Sequence, residues 1–132
     1  MIIGIGTDLV EIKRMESALS HSDALAKRVL TPFEYQEFTA SKSPARYLAK
    51  KFASKEATAK AMGTGIGNGT SWQHIQITHD ALGKPILNAL GAFDNWCTEN
   101  KVSGLHISIS DEQNYACAYV VIEAASKEQN KV

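Results

Sequence analysis

Residues 43–63, SPARYLAKKFASKEATAKAMG, constrain the fold more than any other stretch of the chain. Ser43-Pro44 is a helix opening, because proline suits the first helical position, and Gly63 is a closing, because glycine takes the left-handed residue after the last turn. The spacing predicts one helix over roughly 44–62, about 28 Å long at 1.5 Å per residue. Its apolar face is Ala45, Ala49, Phe52, Ala53, Ala57 and Ala61, with Leu48 at the margin. Alanine there lets a neighbouring element pack at short range.

The sequence on either side sorts by period. Residues 2–12 alternate as a strand, with Ile3, Ile5, Thr7 and Leu9 on the face expected to reach the core. Gly4, Gly6, Asp8 and Val10 take the other face, and the glycines leave open space beside Asp8 or mark a close approach. Residues 13–30 read as helical with a break near His21-Ser22, where Ser22 or Asp23 can cap the second helical piece. Thr31-Pro32 opens a helix to about Ala40. Strands are expected at 73–79 and 85–89, a helix at 90–100 around Leu90, Phe93 and Trp96, and a hairpin of 106–110 with 115–123. Helices gather early and strands late, so the class is α+β: one small antiparallel sheet packed on one long helix, with further N-terminal helices. Such a sheet leaves faces uncovered, which favours an oligomer.

With 132 residues the chain suits a single domain, placed here at 1–125, with 126–132 as a flexible tail. Fourteen basic and fourteen acidic residues cancel, giving no basis for a nucleic-acid coat or a membrane surface. Their distribution is uneven, because residues 42–60 hold six cations and one acid. That local field attracts an anion, although a solvated helix face has the same composition. Cys97 and Cys117 lack close or metal-site spacing, no apolar run suits a membrane span, and a cytoplasmic setting is expected. His21, His74, His79 and His106 form no metal-site pattern, and no activated nucleophile is visible.

Phe52, Glu56 and Lys60 fall on one side of the long helix at i, i+4, i+8. Glu56–Lys60 is by itself a surface ion pair, worth about 0.3–0.5 kcal/mol. Asp8 adds a second carboxylate from another element, and two such groups suit Mg²⁺, which completes its octahedron with water and substrate phosphate. The loop GTGIGNG at 63–69 could bring backbone N–H groups to phosphate oxygens, but it matches neither the P-loop nor the dinucleotide pattern. Gly83-Lys84-Pro85 is a turn presenting one more cation. Metal-assisted phosphoryl transfer fits this set.

Four segments, GIGTDLVEIKRM (4–15), RYLAKKFASKEATAKAMGTGIG (46–67), LGKP (82–85) and HISISDEQNYACAYVVIE (106–123), closely resemble the bacterial holo-acyl-carrier-protein synthases, the small 4′-phosphopantetheinyl transferases. The resemblance implies transfer of the 4′-phosphopantetheine arm from coenzyme A to a serine of apo-acyl carrier protein, releasing adenosine 3′,5′-bisphosphate. It also implies a homotrimer with sites between subunits. On the matching positions it implies Asp8 and Glu56 as Mg²⁺ ligands, with Lys60 completing the catalytic set and meeting the coenzyme A phosphates. Arg46, Lys50, Phe52, Gly63, Thr64, Gly65, Lys84, Pro85, Ser108, Ser110 and Asp111 would line the coenzyme A site. Lys13 and Arg14, with Lys27 and Arg28, would meet the acidic helix of the carrier.

The chain departs from the family at Asp111, where many members have a histidine associated with nucleotide phosphate. Either nearby Arg46, Lys50 or Lys51 compensates, or the 3′-phosphate binds differently. Two other readings stand beside the transferase: a Mg²⁺-dependent nucleotide pyrophosphohydrolase, and a non-catalytic module for an acidic protein or RNA.

Overall fold

Helix α4 (Pro44–Met62) lies across a three-stranded antiparallel sheet, in a computed structural model that describes residues 1–126. The strands are β1 (Ile2–Glu11), β4 (Val102–Asp111) and β5 (Tyr115–Ala124), in the spatial order β1-β5-β4. The 126–132 tail, apart from Ser126, lies outside the described residues.

The bounds of α4 follow its end signals, with Pro44 in the first turn and Gly63 left-handed at φ 79°. Ser43 makes no side-chain capping bond, so proline alone marks the start. Leu48, expected at the margin, is fully buried, while Ala45 is only half-buried. The buried stripe continues through Ala49, Ala53 and Ala57 onto Ala116, Ala118, Val120 and Ile122 of β5. Small residues on both sides set the short separation.

Strand β1 is turned over relative to the expectation. Ile3, Ile5 and Leu9 are 39%, 58% and 63% exposed, and Val10, on the glycine face, is buried. A methyl group at Gly4 would overlap the Ala61 carbonyl, and one at Gly6 the Ala57 carbonyl. The space left by the missing side chains is therefore filled by the backbone of α4. Alternation alone could not orient the strand, because the glycine face is buried through backbone contact.

The other elements build a flank. They are α1 (Ile12–His21), α2 (Ala24–Val29) and α3 (Pro32–Ala40), then β2 (Ile75–His79), β3 (Pro85–Ala89) and α5 (Gly91–Glu99). Strands β2 and β3 form a second, two-stranded sheet, so the single sheet expected is in fact two. Gln73 and His74, read as strand, belong to a 3-10 turn over Trp72–His74. Strand β4 starts earlier than expected, and Asp111 is its last residue.

A buried ion pair joins this flank to α4. The Lys55 ammonium donates to Glu34 Oε1 at 2.6 Å, to the Val29 carbonyl at 2.6 Å and to the Trp72 carbonyl at 3.0 Å. Glu34 also accepts from the Thr31 N–H at 2.9 Å and the Ile77 N–H at 2.8 Å, and both side chains are wholly buried. Thr31 accepts in turn from the Glu34 N–H, closing the capping box of α3. One carboxylate thus ties together α3, α4 and β2.

Candidate active site

The close crossing of β1 over Ala57 and Ala61 decides where the predicted side chains meet. Lys60 reaches back to β1, donating to the Thr7 carbonyl and to Asp8 Oδ1, both at 3.0 Å. The expected Glu56–Lys60 pair does not form. Asp8 is the stronger partner because its side chain, only 17% exposed, sits on the strand that crosses this turn. Glu56, one turn before Lys60, is half-buried and has no hydrogen bond or ion pair among the described residues. Two carboxylates and a lysine therefore border one turn of α4.

The glycine loop departs from the phosphate-cradle expectation. The Gly63 N–H donates to the Ala59 and Lys60 carbonyls, that of Gly65 to Ala59, and that of Gly67 to Thr70. These groups cap α4 and close the loop instead of facing a ligand. Gly63, Gly65, Gly67 and Gly69 all have positive φ, and nothing lies within 4 Å of where their side chains would begin. The loop is an open shelf beside Lys60. Thr64, between the first two glycines, bonds within the loop to the Gly65 carbonyl at 3.4 Å.

A second cluster lies at the other end of α4. A cavity of about 270 Å³ is lined by Arg46, Lys50, Lys51, His79, Pro85 and Ile109, among others. Arg46 donates to Asp111 Oδ2 at 2.8 Å and to the carbonyls of Glu112 at 2.6 Å and Gln113 at 3.2 Å. Lys50 stands 3.5 Å from Asp111 Oδ1. The hydrogen bond from Arg46 holds the Asp111 carboxyl below its ordinary range, against the opposing effect of burial.

Lys51, named from the sequence only as one of three cations that could compensate at Asp111, is the one the fold buries here. It is 3% exposed and lines the cavity, and its ammonium lies 4.8 Å from the centroid of the Tyr47 ring. It has no ion pair or hydrogen bond among the described residues. Burial lowers its pKa, with partial relief from Glu34 and Glu37. Nothing local in KKF distinguishes Lys51 from a solvated lysine. Its three-residue offset from Leu48, a buried position, is the only available signal.

Not every predicted residue joins these clusters. Ser108 and Ser110 are exposed and alternate with Ile109 and Asp111, so they face away from the cavity. Lys84 is exposed and does not line it, though Gly83 and Pro85 do. Phe52 is buried beside Trp72, at 6.0 Å between ring centroids, beneath the Arg14 guanidinium at 5.6 Å. Lys13 and Arg14 are exposed on α1, Lys27 and Arg28 on α2, and Lys27 pairs with Asp23 at 3.5 Å. No group of three or more metal-ligating side chains occurs among the described residues.

Fold and clusters together define a small α+β protein suited to a polyanion, with two carboxylates and a lysine toward one end of a helix and a cation-lined cavity toward the other. Residues 4–120 match the model of the 4′-phosphopantetheinyl transferase superfamily, and the chain belongs to that family. A holo-[acyl-carrier-protein] synthase of Alteromonas mediterranea is 51% identical over 122 residues, covering 92% of this chain and 97% of the relative. The crystal structure of the Neisseria meningitidis holo-[acyl-carrier-protein] synthase is 47% identical, with a TM-score of 0.88 over 93% of this chain and 99% of that one. A Bacillus anthracis holo-(acyl-carrier-protein) synthase, solved in complex with CoA (3′,5′-ADP), is 36% identical with a TM-score of 0.81, covering 95% and 99%.

Proposed function

We propose that this protein is a holo-acyl-carrier-protein synthase. It transfers the 4′-phosphopantetheine arm of coenzyme A to a serine of apo-acyl carrier protein and releases adenosine 3′,5′-bisphosphate. The observation that carries the reading is the meeting of Asp8 with Lys60, one turn from a partnerless Glu56, in a chain about half identical to such a synthase.

Asp8 and Glu56 are the groups that would hold Mg²⁺. The donor set fits: both are hard oxygen ligands, and Glu56 has no competing partner among the described residues. When bound, the ion supplies positive charge beside the pyrophosphate of coenzyme A. Lys60, 56% exposed and held by one carboxylate and one carbonyl, can turn its ammonium to the phosphate oxygens. There it stabilises the charge that grows on the departing bisphosphate as the carrier serine attacks the β-phosphorus in line. The open glycine shelf beside Lys60 admits the substrate close to the backbone. The protein's contribution is position and electrostatics.

The cavity at Arg46, Lys50 and Lys51 receives the 3′-phosphate of the nucleotide. Asp8 is on one edge strand of the sheet and Asp111 on the other, with β5 between them and α4 packed across. Two strand spacings alone separate these edges by about 10 Å. This arrangement supports a homotrimer in which coenzyme A spans a boundary, its pyrophosphate on one subunit and its nucleotide end on the next. The exposed Ile3, Ile5, Leu9 and Tyr119 supply an apolar face for such assembly. The exposed cations Lys13, Arg14, Lys27 and Arg28 supply the surface for an acidic carrier. No helix among the described residues is long and apolar enough to cross a membrane, and the unpaired Cys97 and Cys117 support a reducing, cytoplasmic setting.

The direct test is the intact mass of an apo-acyl carrier protein incubated with the protein, coenzyme A and Mg²⁺, beside an EDTA control. A metal-dependent gain of one phosphopantetheine arm is expected. Turnover of coenzyme A with no change in carrier mass would replace the transferase by a pyrophosphohydrolase.

A further inference from the structure

Three cations line the cavity at the start of α4, but they are not equivalent. Arg46 and Lys50 both point at Asp111, whereas Lys51 is buried without any acidic partner among the described residues. His79 also lines the cavity, and burial together with the charge of Lys51 lowers its pKa, so it adds no full charge near neutrality. Glu37 is occupied elsewhere, accepting from the Tyr47 hydroxyl at 2.8 Å. Arg46, Lys50 and Lys51 line the cavity, and Asp111 sits beside it, paired with the first two, so the cluster holds three basic side chains and one carboxylate. A phosphate monoester, with a charge of about −1.5 to −2 at pH 7, matches the remainder.

We propose that Asp111 is a specificity-determining residue that restrains how strongly the cavity reads the 3′-phosphate of coenzyme A. Its carboxylate occupies the position from which Arg46 and Lys50 would otherwise greet an anion, leaving Lys51 as the principal phosphate contact. The inference rests on the assignment of this cavity to the nucleotide end of coenzyme A.

The sign comes from the contacts. Arg46 is held by two main-chain carbonyls as well as by Asp111, so its orientation does not depend on the carboxylate charge. Lys50 meets Asp111 only at 3.5 Å, through charge more than through a hydrogen bond. Asparagine at 111 can still accept the bond from Arg46, so Asp111→Asn removes a negative charge from beside Arg46 and Lys50 while keeping the turn clamped. Coenzyme A gains from that change, whereas dephospho-coenzyme A, which lacks the 3′-phosphate, has nothing to place there.

The test is calorimetric titration of the full chain with coenzyme A and with dephospho-coenzyme A, read as the ratio of their affinities. Asp111→Asn is expected to raise that ratio roughly five- to tenfold, the effect of one charge a few ångströms away at the water-like dielectric of a partly exposed site. Lys50→Gln gives a second reading, independent of whether the first variant folds. With its charge already taken up by Asp111, its loss should lower the ratio by less than about threefold. A preference for coenzyme A that Asp111→Asn leaves unchanged or lowers, or a tenfold loss in Lys50→Gln, overturns the proposal alone. Equal affinity for the two ligands in the wild type and both variants would mean that the 3′-phosphate lies elsewhere, and the nucleotide assignment would fall with it.

Discussion

Glu56 and Lys60 share a helix face, yet they behave as separate parts. Lys60 is committed to Asp8 and Thr7, while Glu56 has no partner among the described residues. A half-buried carboxylate without a partner contributes little to folding and is available to a cation. Glu56→Ala should therefore lower transfer by about 10²–10³-fold, the usual cost of one electrostatic group at a reacting phosphate or carbonyl. Its unfolding free energy should stay within about 0.5 kcal/mol of wild type. The carrier-mass assay and a urea titration followed by circular dichroism read the two quantities, and a variant that loses both would make Glu56 structural. The residue types at this site were legible because carboxylates on a glycine-opened strand and a lysine-rich helix are unusual together. Their pairing was not, since Asp8 and Lys60 are far apart in sequence and only the β1–α4 crossing unites them. Lys51 was legible as a nearby cation but its burial was not: its identity says solvent, and only tertiary packing buries it.

Among the elements, the ones with local punctuation were read best. Thr31, Pro32 and Glu34 cap α3 through contacts spanning three residues, and Pro44 and Gly63 bound α4 in the same local way. The orientation of β1 failed because its alternating pattern is satisfied by either face, and the decisive contact is backbone against backbone at Gly4 and Gly6. The element most dependent on distant residues is the flank fixed by Glu34 and Lys55. Lys55→Met should cost about 3–5 kcal/mol, because it leaves Glu34 buried as an unpaired charge. Replacing both partners often restores stability in buried ion pairs, but here Glu34→Leu/Lys55→Met should not. The Thr31 and Ile77 N–H groups would lose their acceptor, at about 1–3 kcal/mol each. Urea unfolding of the single and double variants decides this; a double variant close to wild type would mean that those backbone groups find other partners.

For the whole molecule the main question is what covers the outer face of the sheet. Ile5 and Leu9 of β1 stand 58% and 63% exposed, with Tyr119 of β5 at 47%, across from Thr7 in the register. An apolar face this continuous on a 14.4 kDa chain indicates a surface made to be covered. The two clusters lie toward opposite ends of α4 and on opposite edges of the same sheet, so on the proposed reading a neighbouring subunit would bring one of each together. Assembly and catalysis should therefore fail together. Ile5→Asp places a charge in the middle of the face, away from the Arg46 cavity but beside a shallow pocket that Ile5 shares with Lys60, and Ile5 is already solvent-facing in the single chain, so the fold itself should persist. Sedimentation should show the wild type near 43 kDa, three times the chain mass, and the variant near 14.4 kDa. On the proposed trimer, carrier modification should fall at least about 100-fold in the variant, since losing the subunit boundary would separate groups held together across it. A variant that sediments as a single chain and still modifies its carrier at the wild-type rate would show that one subunit holds the complete site, and the exposed face would then need another partner to explain it.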